Sequence, residues 1–124
     1  VHDDIEVNFQ NLTKGWQLIT SSATRNSINA SVGGVGFLLN PRASRSLSNV
    51  QTISPRIMLA NFSGNPAPTV ICCYSPTNCA EAEDISKFYD DLRQAAKDTP
   101  RHNVLIVMGD LNAKIGTLDA KFTL

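Results

Sequence analysis

The sequence has no excess of either charge: eleven Lys and Arg balance eleven Asp and Glu, for a net charge of zero. A protein that binds nucleic acid without sequence preference owes most of its affinity to phosphate neutralisation and shows a basic excess. Here any such contact is confined to a local patch, for which Arg42 and Arg45, joined by Arg25, are the candidates beside the plainer reading of a solvated polar loop. Three cysteines, an odd number, argue against a disulfide framework. Cys72 and Cys73 are chain neighbours that face opposite sides of a strand, Cys79 stands in a polar loop, and without a Cys-x-x-Cys pair or a nearby His the set reads as small buried thiols in a reducing compartment, not as a zinc site. No apolar run approaches the roughly 18 residues of a membrane span, and no signal peptide is visible. The expected location is intracellular, nuclear or cytoplasmic, with no membrane partner, so the glycosylation-type triplets at Asn11, Asn29 and Asn61 read as incidental.

Two further motifs are absent. Gly34-x-Gly36 is followed by Leu39 where a dinucleotide fingerprint has its third Gly, and Asn40-Pro41 ends the segment instead of opening a helix. A calcium loop fails because Lys114 and Ile115 stand where a ligand and a Gly belong.

What is present centres on residues 104–116. The apolar run Val104-Leu105-Ile106-Val107-Met108 has the length of a fully buried strand, and Gly109 after it allows a sharp turn. Asp110 and Asn112 follow. Residues two apart in an extended segment point the same way, so their oxygens can converge on a hard cation or a phosphate, or Asp110 can simply cap a helical turn.

Along the chain, residues 1–15 begin with an acidic cluster, Asp3, Asp4 and Glu6, and lack clear periodicity; His2, Asp3 and Asp4 read as an acidic, frayed terminus in preference to a set of metal ligands. Gly15–Thr20 is the first predicted strand, with Trp16 in the core. Residues 21–31 read as a loop, Val32–Leu39 as a strand whose glycines admit close backbone approach, and 40–55 as a polar stretch with weak strand signals at Val50 and Ile53. Arg56–Phe62 and Thr69–Tyr74, joined by a Gly/Pro-rich turn, predict an antiparallel hairpin with Arg56 and Tyr74 near one end. Tyr74-Ser75-Pro76 closes the second strand. Residues 80–97 predict an amphipathic helix carrying Ile85, Phe88, Leu92, Ala95 and Ala96 on one face, with Glu83 four residues before Lys87. The strands on either side of it form a β-α-β unit that delivers Tyr74, Asp110 and Asn112 to one edge of the sheet.

Gly109-Asp110-Leu111-Asn112-Ala113-Lys114-Ile115-Gly116, preceded in order by Gly34-Val35-Gly36-Phe37, Pro55-Arg56-Ile57 and Tyr74-Ser75-Pro76-Thr77-Asn78, resembles the endonuclease/exonuclease/phosphatase superfamily. More narrowly it is similar to the apurinic-endonuclease-like domain of non-LTR retrotransposon polyproteins, over most of the chain from about Gly33 onward. The resemblance implies an α+β, four-layer α/β/β/α sandwich with mixed sheets, of which residues 1–124 would be a single partial domain lacking its N- and C-terminal parts. It implies magnesium as cofactor, DNA as substrate and a reverse transcriptase domain in the same parent chain. It carries catalytic roles onto Asp110, Asn112 and Tyr74, with Asn112 and Tyr74 also on the substrate phosphate. Arg56 is a further phosphate-binding candidate or else an exposed edge charge.

The family's magnesium-binding Glu, an upstream Asn and a late Asp-His pair have no match here, and His102 stands at the wrong end of its strand. The isolated piece is therefore expected to be inert even if its parent is a nuclease, and its exposed strand edges predict poor solubility. A phosphoinositide-type phosphatase of the same superfamily and a non-catalytic remnant or interaction module are the alternatives; Ala113-Lys114-Ile115-Gly116 favours the retrotransposon branch over the phosphatase.

Overall fold

The computed structural model describes residues 7–21, 24–25, 31–32, 34–76 and 81–111. The elements in chain order are β1 (Val7–Asn11), a 3-10 turn (Thr13–Gly15), β2 (Gln17–Ser21), β3 (Thr24–Arg25), β4 (Ser31–Val32), β5 (Gly36–Leu39) and α1 (Pro41–Ser46). They are followed by β6 (Leu47–Ser54), β7 (Ile57–Phe62), β8 (Pro68–Tyr74), α2 (Ala82–Asp98) and β9 (Val104–Asp110). Among the described residues, β1-β2-β5 form one sheet, β3-β4 a two-stranded ribbon, and β6-β7-β8-β9 a second large sheet. In that sheet β6, β7 and β8 run antiparallel to one another and β9 runs parallel to β8.

The alternation of side chains along β7 and β8 builds two cores. Met58, Ala60 and Phe62, with Val70 and Cys72, face the β1-β2-β5 sheet and pack on Ile19, Phe37 and Leu39. Ile57, Leu59, Ile71 and Cys73 face the other way and pack on Phe88 and Ala95 of α2, with Tyr89 and Leu92 at the margin. Helix, sheet and sheet therefore stack as three layers, an α+β arrangement that fits part of an α/β/β/α sandwich. Ile57, Met58 and Ile71 are fully buried, each contributing about 1.5–3 kcal/mol by leaving water. Buried Thr69 is satisfied by its neighbours: its hydroxyl donates to Asn61 Oδ1 at 2.7 Å and accepts from Asn103 Nδ2 at 3.1 Å. This chain of bonds joins the hairpin to the segment that leads into β9.

Several expectations change. Asn40 caps α1, its Oδ1 accepting from Ala43 N at 2.8 Å, with Pro41 in the first helical position. The polar stretch 40–55 holds an unexpected short helix and then an eight-residue strand, β6, which contains the weak strand signals at Val50 and Ile53 and is ordered by its antiparallel pairing with β7. Pairing also makes a strand, β1, within residues 1–15, which lack clear periodicity, and draws β3 and Ser31 of β4 out of the expected loop 21–31. Trp16 is 41% exposed instead of in the core, because the 3-10 turn places it before β2 begins. Lys87 pairs with Asp91 at 2.8 Å, not with Glu83.

The largest correction concerns Val104–Met108. These side chains are 39–49% exposed, because among the described residues β9 is the edge of its sheet and neither α2 nor the other sheet reaches over it. Gly109 is not a turn but the penultimate residue of that strand.

Candidate functional site

The site is assembled at one edge of the four-stranded sheet, where β7 begins and β8 and β9 end. Tyr74 N donates to Arg56 O at 2.9 Å, continuing the hairpin ladder one step beyond Ile57–Cys73. Arg56 is fixed from its other side as well, its N donating to the hydroxyl of buried Ser54 at 3.1 Å. The guanidinium then lies over the Tyr74 ring, with Cζ 5.2 Å from the centroid, a cation-π arrangement. Arg56 Nη1 is buried with no hydrogen-bond acceptor among the described residues. A buried charged donor left unpaired is costly, so this atom is poised for an acceptor from outside.

Asp110 reaches the same edge through register. In the parallel pairing of β8 and β9, Tyr74 and Asp110 are Cα partners, and Ser75 N donates to Asp110 O at 2.7 Å. Gly109 makes this possible. Its φ is +139°, and a Cβ there would lie 1.9 Å from the carbonyl oxygen of Cys73, so only glycine lets β9 approach β8 closely enough to seat Asp110 beside Tyr74. Both flanking side chains are exposed, Tyr74 at 38%.

The structure thus brings Arg56, Tyr74 and Asp110 together. Asn112 lies outside the described residues, as do His2, Asp3, Asp4, Thr77, Asn78 and Cys79. Arg42 and Arg45 are exposed on α1, and His102 stands before β9, at the end of the strand away from Asp110. Among the described residues no group of three His, Cys, Asp or Glu could hold a metal ion. Among the described residues Asp110 is the single carboxylate at this edge that magnesium could use, which is less than a protein cage, although magnesium commonly completes its shell with water and substrate phosphate.

One contributor was missed. Tyr89 on α2 donates its hydroxyl to Leu111 O at 3.5 Å, while its ring meets Phe88 edge-on at 5.0 Å. It therefore tethers the residue that follows Asp110. Tyr89 stands four residues after Ile85 and three before Leu92, so helical periodicity puts it on the apolar stripe, where a phenol is expected to seek a partner.

The environment of Cys72 and Cys73 favours the protonated thiol. Burial pushes the Cys72 thiol up, against a smaller opposing hydrogen bond from the Gly36 backbone, and burial followed by the neighbouring Cys72 pushes the Cys73 thiol up. Cys73 also directs its thiol to Met108 O at 3.6 Å.

No family model and no solved structure matches this sequence. Two curated proteins do, across 85 residues, or 68% of this chain. The chain is similar to Craniofacial development protein 2. The Bos taurus protein of that name is 35% identical over those residues and the Tragulus javanicus protein 34%. The match spans only 14% and 15% of Craniofacial development protein 2 in the two species. Among the described residues of the chain, no helix is long and apolar enough to cross a membrane.

Proposed function

We propose that this chain is part of a magnesium-dependent DNA endonuclease domain of the endonuclease/exonuclease/phosphatase type, belonging to a non-LTR retrotransposon polyprotein that also carries a reverse transcriptase. The observation that carries the reading is the meeting of Arg56, Tyr74 and Asp110 at one sheet edge, with Arg56 Nη1 buried and without an acceptor among the described residues. A phosphate oxygen supplies such an acceptor, since guanidinium groups bind oxyanions through charge-assisted hydrogen bonds. Tyr74 then donates its phenol to the same phosphate, Asp110 orients and deprotonates the attacking water, and Asn112 holds a phosphate oxygen or steadies the carboxylate. Magnesium, when bound, stabilises charge on the phosphoryl oxygens. Asp110 would be the residue of this edge that helps to hold it, with further ligands supplied from outside the described residues.

The test is magnesium-dependent nicking of supercoiled plasmid by this chain and by a polypeptide extended at both ends from the encoding locus, each with Asp110→Ala. Nicking by the extended polypeptide alone, lost on Asp110→Ala, is the expected result. Release of phosphate from an inositol lipid without nicking would replace the nuclease by the phosphatase. Silence of the extended polypeptide in both assays would favour a non-catalytic remnant or interaction module.

A further inference from the structure

The turn that carries Arg56 is held from three sides: Arg56 N donates to the hydroxyl of Ser54 in β6, Tyr74 N of β8 donates to Arg56 O, and Gly34 N donates to Pro55 O at 3.0 Å. The last of these bonds crosses between the sheets. Gly34 leads into β5 of the β1-β2-β5 sheet, whereas Pro55 lies between β6 and β7 of the other. Gly34 N and the Ser54 hydroxyl thus grip the carbonyl and the amide of a single peptide unit, the one that links Pro55 to Arg56. Because that unit is planar, the two bonds together fix its tilt. The tilt sets the direction in which the Arg56 side chain leaves the backbone, and the length of the side chain magnifies any error at Nη1.

Gly34 does not hold its own amide in place. It belongs to no strand, and its φ of +101° lies in a region that glycine enters freely. The restraint comes from Ser21, the last residue of β2. The register of β2 with β5 runs as far as Thr20 and Gly36. One residue further, Ser21 N donates to Val35 O at 2.8 Å, and its hydroxyl donates to the same oxygen at 3.3 Å while accepting from Val35 N at 3.1 Å. The peptide unit between Gly34 and Val35 is thereby held on one side of the Gly34 Cα, and the amide that reaches Pro55 lies on the other. Ser21 is 6% exposed, so alanine there would take this acceptor from Val35 N where little water can replace it. We propose that Ser21 is the positioning residue of Arg56, acting through Val35 and Gly34 on the peptide unit between Pro55 and Arg56. Its hydroxyl is engaged by Val35, so its effect on a bound phosphate is indirect. The inference rests on the phosphodiester reading for what Arg56 binds, and on the bonds above for how Arg56 is placed.

The experiment compares variants of the extended polypeptide in plasmid nicking, with KM and kcat resolved. It also follows the Arg56 Nε–Hε signal in a nitrogen–proton NMR correlation spectrum, assigned by its loss in Arg56→Gln. Ser21→Ala is expected to raise KM about tenfold with kcat little changed, the low end of what a hydrogen bond to a charged group supplies. KM separates positioning from damage to the fold, because partial unfolding lowers the active fraction and so kcat alone. Ser21→Ala should add nothing to the KM of Arg56→Gln, since residues that act as one unit are not additive. It should also shift the Arg56 signal, whereas Asn40→Ala, at the cap of α1, should change neither KM nor that signal. An Arg56 signal that stays in place in Ser21→Ala, a fall in kcat at constant KM, or an equal effect of Ser21→Ala with and without Arg56 would overturn the proposal. A signal that moves in Ser21→Ala while Arg56→Gln leaves KM unchanged, or while no variant nicks, would uphold the positioning of Arg56 by Ser21 and refute the phosphodiester reading.

Discussion

Replacing Gly109 by alanine tests the geometry that seats Asp110. The added methyl would sit 1.9 Å from Cys73 O, 2.8 Å from its carbonyl carbon and 2.9 Å from its amide nitrogen, and the backbone there has φ of +139°. The unfavourable dihedral costs about 1–3 kcal/mol. The clash is with main-chain atoms that cannot rotate aside, so relieving it requires β9 to move away from β8, an overpacking cost of about 1–3 kcal/mol. Taking about 4 kcal/mol in all, against a total stability of about 5–15 kcal/mol, the midpoint of thermal unfolding should fall by about 16 °C at ~4 °C per kcal/mol. The assay is a thermal melt followed by circular dichroism, with Val107→Ala as a control on the same strand. Val107 is 43% exposed, so its truncation should cost less than about 1 kcal/mol. A Gly109→Ala melt within two or three degrees of the parent would refute the close approach of β8 and β9, and with it the seating of Asp110 beside Tyr74.

Three other substitutions or conditions probe separate layers. Met58 is fully buried between the two sheets, and Met58→Ala should cost about 2–5 kcal/mol in urea unfolding. Asn40→Ala removes the cap of α1, with an expected loss of about 1 kcal/mol in the same experiment and no change in the exposure of Phe88. Because the folded-state thiols of Cys72 and Cys73 titrate above their unfolded values, the folded chain holds more protons than the unfolded one as pH rises past about 8.5. Their stabilising contribution is complete below that pH and is lost above it. Unfolding midpoints measured from pH 7 to 10 should therefore decline at the alkaline end, and alkylation of both thiols should be slower than that of a free cysteine.

The parts legible in the sequence were those fixed by local chemistry. Alternating and β-branched residues marked the hairpin of β7 and β8, a Gly/Pro-rich turn joined its strands, and helical periodicity marked α2 to within two residues at each end. The meeting of Arg56 with Tyr74 followed from that hairpin. What escaped depends on partners distant in the chain. The β6 strand is largely polar and is ordered by pairing with β7, while β1 becomes a strand because β2 lies beside it. The run Val104–Met108 misled for the converse reason. An all-apolar strand implies cover on both faces, yet hydropathy cannot say whether the covering elements belong to these residues, and among those described they do not. Tyr89 was passed over because an aromatic on an apolar stripe reads as core, although its phenol lies beside the Leu111 carbonyl.

The hairpin of β7 and β8 is shared by both cores, so its amide hydrogens are shielded from both sides at once. Exchange with solvent deuterium there requires loss of α2 and of the β1-β2-β5 sheet together, whereas either layer can open alone at lower cost. Opening of α2 frees the Leu111 carbonyl from Tyr89 while Arg56 and Tyr74 stay joined by the ladder. The two halves of the site therefore have different lifetimes. Arg56 and Tyr74 persist as long as the chain is folded, and the hold of Tyr89 on Leu111 lasts as long as the helix stays docked.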